Sequence, residues 1–408
     1  MTTWDSLYAR RATRMRASEI RELLKLLDRP DVISFAGGIP DPALFPAREF
    51  KQAYSDILGG PEAERALQYG ISEGSIRLRQ WIVEHMGELG VSCNLENILI
   101  TSGSQQGLDY IGKLFLSEDD TALVQWPTYL GAVQAFNAYE LHFERLEPRA
   151  NLEASDYLAR AEEKGGAVKF AYLSPDFANP TGLSLDLEER KRILSLAGDL
   201  ACAVIEDAPY QSLRYDGEPV RAMLALDCDC NGGIENSRTL YCGSFSKSLS
   251  PGLRLGWICA ASEVISRLVL IKQASDLNTP VLNQEAMARV AETKFESHTA
   301  RTNAIYRDRR DAMLAALEKH MPAGTSWTRP EGGMFIWVEL PEELDASDLL
   351  ERSVETAKVA FVPGRAFHPD GSGGNTLRLS FSCADTGKIE QGISRFGALI
   401  SETVMSRQ

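Results

Sequence analysis

The sequence lacks a long apolar run and any metal-binding pattern, and each absence excludes a class of protein. No stretch of its 408 residues approaches the roughly 20 uninterrupted apolar residues of a transmembrane helix, so we expect no membrane span. The first residues lack the basic-then-apolar order of a secretory signal. Five histidines and seven cysteines show no metal-ligand spacing, and an odd number of cysteines fits a reducing compartment. We expect a cytoplasmic protein without a metal.

Positively charged residues are also fewer than negatively charged ones. The chain has 43 Lys and Arg residues against 57 Asp and Glu, a net charge of −14. That balance argues against a nucleic-acid surface, although it does not exclude a small anionic substrate. Hydrophobic residues make up 44% of the chain, which is enough for a large core and for two lobes rather than one.

Short apolar segments alternate with helical periods from about residue 95 to residue 260. Continuous apolar strands separated by helices predict a parallel or mixed sheet with helices on both faces. Ligands of such sheets bind beyond the carboxyl ends of the strands, and polar segments follow most of the predicted strands here. The predicted strands cover residues 98–101, 122–125, 170–173, 203–206, 239–242 and 253–260.

The remaining third of the chain predicts a second, smaller α+β lobe. Residues 283–320 contain neither proline nor glycine and predict one or two long helices. Strands are expected at 333–338, 359–362 and 377–381, and helices near 345–357 and 386–402. The predicted divisions are an N-terminal arm (1–45), a large domain (46–290) and a small C-terminal domain (291–408).

The segment around Lys247 carries the most chemical information. Lys247 lies among Ser244, Ser246 and Ser248, with Arg254 a little further on and apolar residues around the set. Partial desolvation of such a lysine lowers its pKa and makes its amine a nucleophile toward carbonyls. Hydroxyls and a guanidinium suit a phosphate monoester. Pyridoxal phosphate (PLP) satisfies both demands, although most short motifs of this kind are ordinary loop lysines.

Further motifs follow in a fixed order, and together with the Lys247 segment they resemble one family. The chain resembles the fold-type I PLP-dependent aminotransferases of class I/II, in particular the group of 2-aminoadipate and kynurenine aminotransferases. The resemblance covers nearly the whole chain and implies an α/β fold with a large PLP-binding domain and a smaller α+β domain. Its motifs are Ser102-Gly103-Ser104-Gln105, Asn179-Pro180-Thr181-Gly182, Glu206-Asp207 with Tyr210, Ser244 to Lys247, and Leu377-Arg378-Leu379-Ser380.

The resemblance assigns the reacting groups. Lys247 matches the lysine that bonds covalently to PLP and, once freed by the amino acid, moves the proton between the substrate Cα and the cofactor. Asp207 matches the carboxylate that pairs with the pyridinium nitrogen. Asn179 and Tyr210 match the residues that bind the 3′ oxygen of the cofactor. Alone, Asp207 would be read as a helix N-cap and Asn179 as part of an ordinary turn.

Other positions match residues that hold the cofactor from its sides. Tyr129 matches the aromatic side chain that stacks on the pyridine ring, although by itself it reads as a core tyrosine. Tyr69 matches a tyrosine that reaches the phosphate bound by the partner subunit, which implies a homodimer with shared active sites. The positions that match the phosphate-binding residues are Ser104, Gln105, Ser244, Ser246 and Arg254.

Substrate contacts follow from the same resemblance. Arg378 matches the arginine that binds the substrate α-carboxylate, a task for which the planar guanidinium suits a carboxylate better than lysine does. Gly38 matches a glycine whose backbone lies against the substrate. Asn179 matches a residue that also contacts the substrate. Arg21 matches a residue that meets a distal carboxylate of the substrate, but a solvated helix face explains it equally well.

The implied reaction is a ping-pong transamination. An L-amino acid (2-aminoadipate, glutamate, aromatic or aliphatic) gives its amino group to PLP, and a 2-oxo acid such as 2-oxoglutarate then accepts it. A PLP-dependent lyase would use nearly the same residues and stays open as the alternative. A regulator that carries this domain behind a DNA-binding module is not expected, because only about 35 residues precede the turn at Gly37 and Gly38.

Overall fold

Thirteen strands and twelve α-helices form the described part of the chain. The computed structural model describes residues 4–14 and 31–406. Within these residues, no helix is both long and apolar enough to cross a bilayer. The strands are β1 Ile33–Ser34, β2 Ile98–Thr101, β3 Thr121–Val124, β4 His142–Arg145, β5 Val168–Leu173, β6 Ala203–Asp207, β7 Thr239–Ser244, β8 Gly256–Cys259, β9 Ser326–Trp327, β10 Phe335–Glu339, β11 Val359–Ala360, β12 Val362–Pro363 and β13 Thr376–Ser380.

The helices connect these strands and cover them. The longest, α10, has 40 residues and packs against α1, α3 and α12. The helices are α1 Ala47–Leu58, α2 Ala63–Leu67, α3 Ile76–Glu88, α4 Ser104–Phe115, α5 Leu130–Asn137, α6 Ala154–Glu163, α7 Leu187–Asp199, α8 Met223–Asn231, α9 Ser262–Ser275, α10 Val281–His320, α11 Ala346–Arg352 and α12 Thr386–Met405.

The larger sheet has seven strands in the order β2-β8-β7-β6-β5-β3-β4. Strands β3 to β7 pair in parallel, whereas β8 is antiparallel to both β2 and β7. Both faces are buried, since Ile98 and Ile100 of β2 pack into one apolar cluster and Leu99 into another. This is the doubly covered, mostly parallel sheet that the apolar segments predict.

A smaller antiparallel sheet contains four strands in the order β12-β13-β10-β9. Separately, β1 pairs in parallel with β11, so that Ile33 lies opposite Val359 and Ser34 opposite Ala360. The segment that follows β1 is therefore held against the C-terminal part of the chain. This pairing fixes the position of Gly38, four residues beyond β1.

The structure corrects two of the predicted strands and adds one that was not predicted. The strand expected at 253–260 covers only Gly256–Cys259. Arg254 adopts a left-handed conformation (φ 53°), which is incompatible with an extended strand. The segment expected as one strand at 359–362 is split between β11 and β12 of two different sheets. Strand β4 was not predicted, since His142-Phe143-Glu144-Arg145 lies at the sheet edge and has no apolar run. The boundary expected at residue 290 falls inside α10 and stays a prediction.

Candidate active site

The segments that carry the predicted site residues follow the carboxyl ends of five strands in the larger sheet. Gly103 follows β2, Tyr129 follows β3, Asn179 follows β5, Asp207 ends β6, and Lys247 follows β7. The carboxyl ends of parallel strands lie at one edge of a sheet, so these segments converge on the same side of the molecule.

The amine of Lys247 lies inside the protein although its side chain is only partly buried. Its Nζ donates a hydrogen bond to the Gly38 carbonyl oxygen at 2.7 Å and lies 5.9 Å from the centre of the Tyr210 ring. Burial lowers the pKa of Lys247 to about 8, and the positive charges of Arg378 and Arg254 add to that effect. A substantial neutral fraction near neutral pH makes this amine a capable nucleophile.

Asp207 presents one carboxylate oxygen that has no partner among the described residues. Its Oδ2 accepts a hydrogen bond from the Tyr172 hydroxyl at 2.7 Å, whereas the buried Oδ1 has none. Burial raises the pKa of the Asp207 carboxyl to about 6, and the bond from Tyr172 opposes that shift. A buried, unpaired carboxylate oxygen is costly unless a cation or N–H donor meets it. The protonated nitrogen of a pyridine ring is such a donor.

Arg378 is buried and is held from four sides. Its Nη1 donates to Asn179 Oδ1 and its Nη2 to the Ala36 carbonyl oxygen, both at 2.7 Å. The guanidinium carbon lies 4.3 Å from the ring centre of Phe335 and 5.1 Å from that of Phe367. Burial lowers the pKa of Arg378 to about 10, so the side chain stays charged at neutral pH.

Gly38 connects the two cations of the site. Its carbonyl accepts from Lys247, and a Cβ added to it would lie 3.5 Å from Arg378 Nη2. Arg378 Nε is buried and has no hydrogen-bond partner among the described residues. Two cationic groups thus approach one small volume, and none of the residues that the structure describes offers a carboxylate partner to Arg378, which favours an anionic ligand.

Tyr210 and Asn179 lie side by side at this site. Burial raises the pKa of Tyr210 far above its ordinary value, and a hydrogen bond with Asn179 opposes that shift in part. The ring of Tyr210 packs edge-on against Phe335, with centroids 5.6 Å apart. The phenol therefore stays neutral and keeps its proton for donation.

Residues 102–106 and Arg254 lie together at the start of α4. Gly103 precedes the helix with a φ of 85°, and a Cβ there would collide with the Arg254 guanidinium. Arg254 Nη2 donates to the Ser102 carbonyl oxygen at 3.4 Å. Nearby, the Ser246 N–H donates to Ser244 Oγ at 3.1 Å. A helix N-terminus beside a guanidinium and hydroxyls is a suitable place for a phosphate.

Gln105 fixes the neighbouring Tyr129. Its Nε2 donates to the Gly131 carbonyl oxygen at 2.7 Å, and its Oε1 accepts from the Tyr129 hydroxyl at 3.3 Å. Tyr129 is near enough to Tyr210, Tyr172 and Arg378 to influence the pKa of each. The Gln105 side chain therefore connects the first turn of α4 to Tyr129 and Gly131.

One predicted residue lies at the surface, and another falls outside the described residues. Tyr69 is 79% exposed at the surface, so within one chain it makes no closed pocket with Lys247. Arg21 lies outside the described residues, and its contacts stay a prediction.

Several residues of the site had not been predicted from the sequence. Tyr172 lies in β5 beside β6, which carries Asp207, and this adjacency of two predicted strands is the signal that would have found it. Phe335 and Phe367 flank Arg378 but come from separate segments of the C-terminal part, and no local pattern distinguishes them from core residues.

The geometry fits PLP at each of its polar groups. The unpaired Asp207 oxygen suits the pyridinium, the cradle at Gly103 and Arg254 suits the phosphate, and the Lys247 amine suits the aldehyde. None of these groups of the cofactor needs Arg378, and its planar guanidinium suits a carboxylate.

Comparison with known proteins agrees with this geometry. The family described as aminotransferase class I and II matches residues 30–396. Aromatic-amino-acid aminotransferase 1 of Thermococcus litoralis is 41% identical over 405 residues, which cover 98% of this chain and 95% of that protein.

Two solved structures have closely similar folds. One is kynurenine aminotransferase from Pyrococcus horikoshii, with a TM-score of 0.90, 40% identity and 98% of both chains covered. The other is α-aminoadipate aminotransferase from Thermus thermophilus in complex with N-(5′-phosphopyridoxyl)-L-leucine. Its TM-score is 0.88 at 38% identity, covering 99% of this chain and all of the other. The chain belongs to the aminotransferase class I and II family and is a PLP-dependent aminotransferase of fold type I.

Proposed function

We propose that the protein transfers the amino group of an L-amino acid to 2-oxoglutarate or a related 2-oxo acid, with the residues around Lys247 and Arg378 as its active site. The observation that carries the proposal is that the Lys247 amine and the buried Arg378 guanidinium both lie beside Gly38. A site that acts on an α-amino acid requires a nucleophilic amine beside a guanidinium that can bind the carboxylate.

Each polar group of PLP has a partner in this proposal. PLP supplies an electron-accepting ring when bound. Asp207 Oδ1 would hold the ring nitrogen, Tyr210 and Asn179 would bind the 3′ oxygen, and Tyr129 would pack against the ring. The phosphate is bound by Ser104, Gln105, Ser244, Ser246 and Arg254.

Lys247 has two tasks in the proposed reaction. Its amine would hold the cofactor covalently in the resting enzyme, and once free it would act as the base that moves the proton of the substrate Cα. Arg378 would fix the α-carboxylate, with Asn179 and the backbone of Gly38 beside it, and so would hold the substrate close to the Lys247 amine. Positioning of this kind and general base catalysis each contribute several orders of magnitude to enzymatic rates.

The donor amino acid is proposed from the similar proteins. Their names give aromatic amino acids, kynurenine and α-aminoadipate as substrates, and one was solved with a leucine adduct. We therefore expect a broad donor range that includes 2-aminoadipate, glutamate, and aromatic and aliphatic amino acids. Rates of amino transfer to the cofactor, measured for single amino acids without an oxo acid, rank these donors directly.

Capture of PLP by the apoenzyme should depend on pH through Lys247. Only the neutral amine attacks the aldehyde, and the pKa of Lys247 is lowered to about 8. The rate should rise about tenfold per pH unit below that value and level off above it, whereas an ordinary lysine would keep gaining up to about pH 10.4. Stopped-flow absorbance across pH 6 to 10 measures this, and a rate that still rises above pH 9 would contradict it.

A homodimer with shared sites is proposed because Tyr69 is an exposed aromatic residue. Leu67, Ile71 and Ile76 nearby are also more than half exposed, which is unusual for apolar side chains that face only water. In the proposed dimer, Tyr69 binds the phosphate held by the partner subunit.

Mixing two inactive variants tests the shared site. A mixed dimer of Tyr69→Ala and Lys247→Ala chains contains one site with both changes and one site with neither, so we expect activity to return. A mixed dimer of Lys247→Ala and Arg378→Ala chains is the control, because it keeps one change in each site and should stay inactive. Equal recovery in both mixtures, or in neither, would argue against the role of Tyr69.

Arg21 is proposed to bind a distal carboxylate of the donor. Arg21→Ala should then lower kcat/KM for 2-aminoadipate and glutamate by about tenfold or more, the value of one charged hydrogen bond, and leave aromatic donors nearly unchanged. Steady-state kinetics on both donor classes measures the difference. Equal losses with both donor classes would show that Arg21 does not bind the side chain of the donor.

The cellular location and the domain division are also proposals. All seven cysteines are unpaired in the structure, which supports a reducing compartment such as the cytoplasm. The division into an arm (1–45), a large domain (46–290) and a small domain (291–408) is supported by the separation of the seven-stranded sheet from the four-stranded one.

A further inference from the structure

Lys272 is a fully buried cation that the proposed reaction does not use. It lies in the last turn of α9, and its side chain is 0% exposed. Its Nζ donates to both carboxylate oxygens of Asp276, at 2.9 and 3.0 Å, and to Gln106 Oε1 at 3.1 Å. Burying an ammonium is costly, and these three bonds account for its donors.

The Lys272–Asp276 pair is joined to the loop that precedes α4. Asp276 Oδ2 accepts from Gln106 Nε2 at 2.8 Å and from Ser102 Oγ at 3.3 Å. Gln106 Oε1, the acceptor for Lys272, also accepts the Ser102 backbone N–H at 2.8 Å. The Tyr110 hydroxyl adds a bond to Asp276 Oδ1 at 3.3 Å.

The network is connected to Arg254 and to the start of α4 through Ser102. The carbonyl oxygen of Ser102 accepts from Arg254 Nη2, so one residue connects the ion pair to the guanidinium. The N–H groups at the start of α4 follow directly after Ser102 and Gly103. A shift of the loop would turn these N–H groups and Arg254 away from each other. Lys272 itself lies behind the loop, bonded to Gln106 and Asp276.

We propose that Lys272 and Asp276 are positioning residues that hold residues 102–106 in the conformation that binds the cofactor phosphate. The inference rests on the proposed assignment of that phosphate to Ser104, Gln105 and Arg254. It predicts that the pair affects binding of the phosphate and leaves binding of the pyridine ring and its aldehyde unaffected. Pyridoxal, which lacks the phosphate, separates these two contributions.

The test measures the affinities of the apoenzyme for PLP and for pyridoxal. Lys272→Met should weaken PLP binding by about tenfold or more, since small misplacements of fixed binding groups have effects of that size, and change pyridoxal binding by less than about twofold. Arg79→Met removes another mostly buried cation, whose guanidinium bonds the Leu95 carbonyl oxygen, and serves as the matched control with both affinities unchanged.

Asp276→Asn distinguishes positioning from simple attraction between charges. Loss of a negative charge near the phosphate would strengthen PLP binding if only the long-range field mattered. Positioning predicts the opposite, because the amide N–H₂ of asparagine faces a donor in either orientation. It meets Gln106 and Ser102 on one side or Lys272 on the other, so the network is broken in both cases. Weaker PLP binding with unchanged pyridoxal binding supports the proposal.

Three results would overturn the inference. These are unchanged PLP affinity in both variants, equal losses for PLP and pyridoxal, or tighter PLP binding in Asp276→Asn. If Lys272→Met does not fold, Asp276→Asn decides the matter, because the change is nearly isosteric and Asp276 is partly exposed. Failure of the phosphate assignment itself would be seen separately, as a wild-type apoenzyme that binds PLP no better than pyridoxal.

Discussion

Lys247→Ala should give a folded protein that does not turn over. Without the amine, the cofactor has no covalent link to the protein. The substrate Cα also has no base, since no other amine among the described residues bonds to the Gly38 carbonyl. We expect a loss of at least about 10⁴-fold in kcat, the upper range for one general base. The phosphate site and Asp207 remain, so PLP should still bind without covalent attachment.

Borohydride reduction and steady-state kinetics measure the two parts of this prediction. Wild-type protein should retain PLP after reduction and denaturation, and Lys247→Ala should release it. Lys191→Ala, which removes an exposed lysine of α7 paired with Glu188, is the control and should behave like the wild type. Normal steady-state activity in Lys247→Ala would refute the assignment.

Arg378→Lys should lower kcat/KM for amino acids by about 10² to 10³, mainly through KM. Lysine keeps the positive charge but lacks the planar guanidinium. Its single ammonium cannot bond to Asn179, to the Ala36 carbonyl and to a substrate carboxylate at the same time. The estimate corresponds to the loss of one or two charged hydrogen bonds.

A donor without the carboxylate separates binding from general damage. The amine that corresponds to a good amino acid donor, with the same side chain, should react slowly with the wild type and lose little more in the variant. If the variant loses as much rate with this amine as with the amino acid, Arg378 supports the site without binding the carboxylate.

The fold could be predicted in outline because its strands are buried on both faces. Ile98 to Thr101 and Thr239 to Cys242 are continuous apolar runs, which is the pattern of interior parallel strands. The edge strand β4 gave no such signal, since partial exposure leaves it with His142, Glu144 and Arg145. The turn at Arg254 was missed because Leu253 and Leu255 read as strand residues, whereas the bend places the guanidinium beside Gly103.

The reacting groups could be predicted from the order of motifs, but the residues that support them could not. Asn179 and Arg378 lie 199 positions apart and still share a hydrogen bond, and a single sequence contains no record of that contact. Tyr172 and Lys272 read as ordinary strand and helix residues, because their partners become neighbours only when the sheet and α9 are assembled. Long-range contacts of this kind depend on tertiary packing.

The central claim is tested most directly by the absorbance of the purified protein during addition of single amino acids without an oxo acid. The account predicts that the band of PLP attached to Lys247 converts to that of pyridoxamine phosphate, and that 2-oxoglutarate restores it. A band that persists, or that changes while ammonia or another leaving group is released, would contradict amino transfer and indicate a lyase.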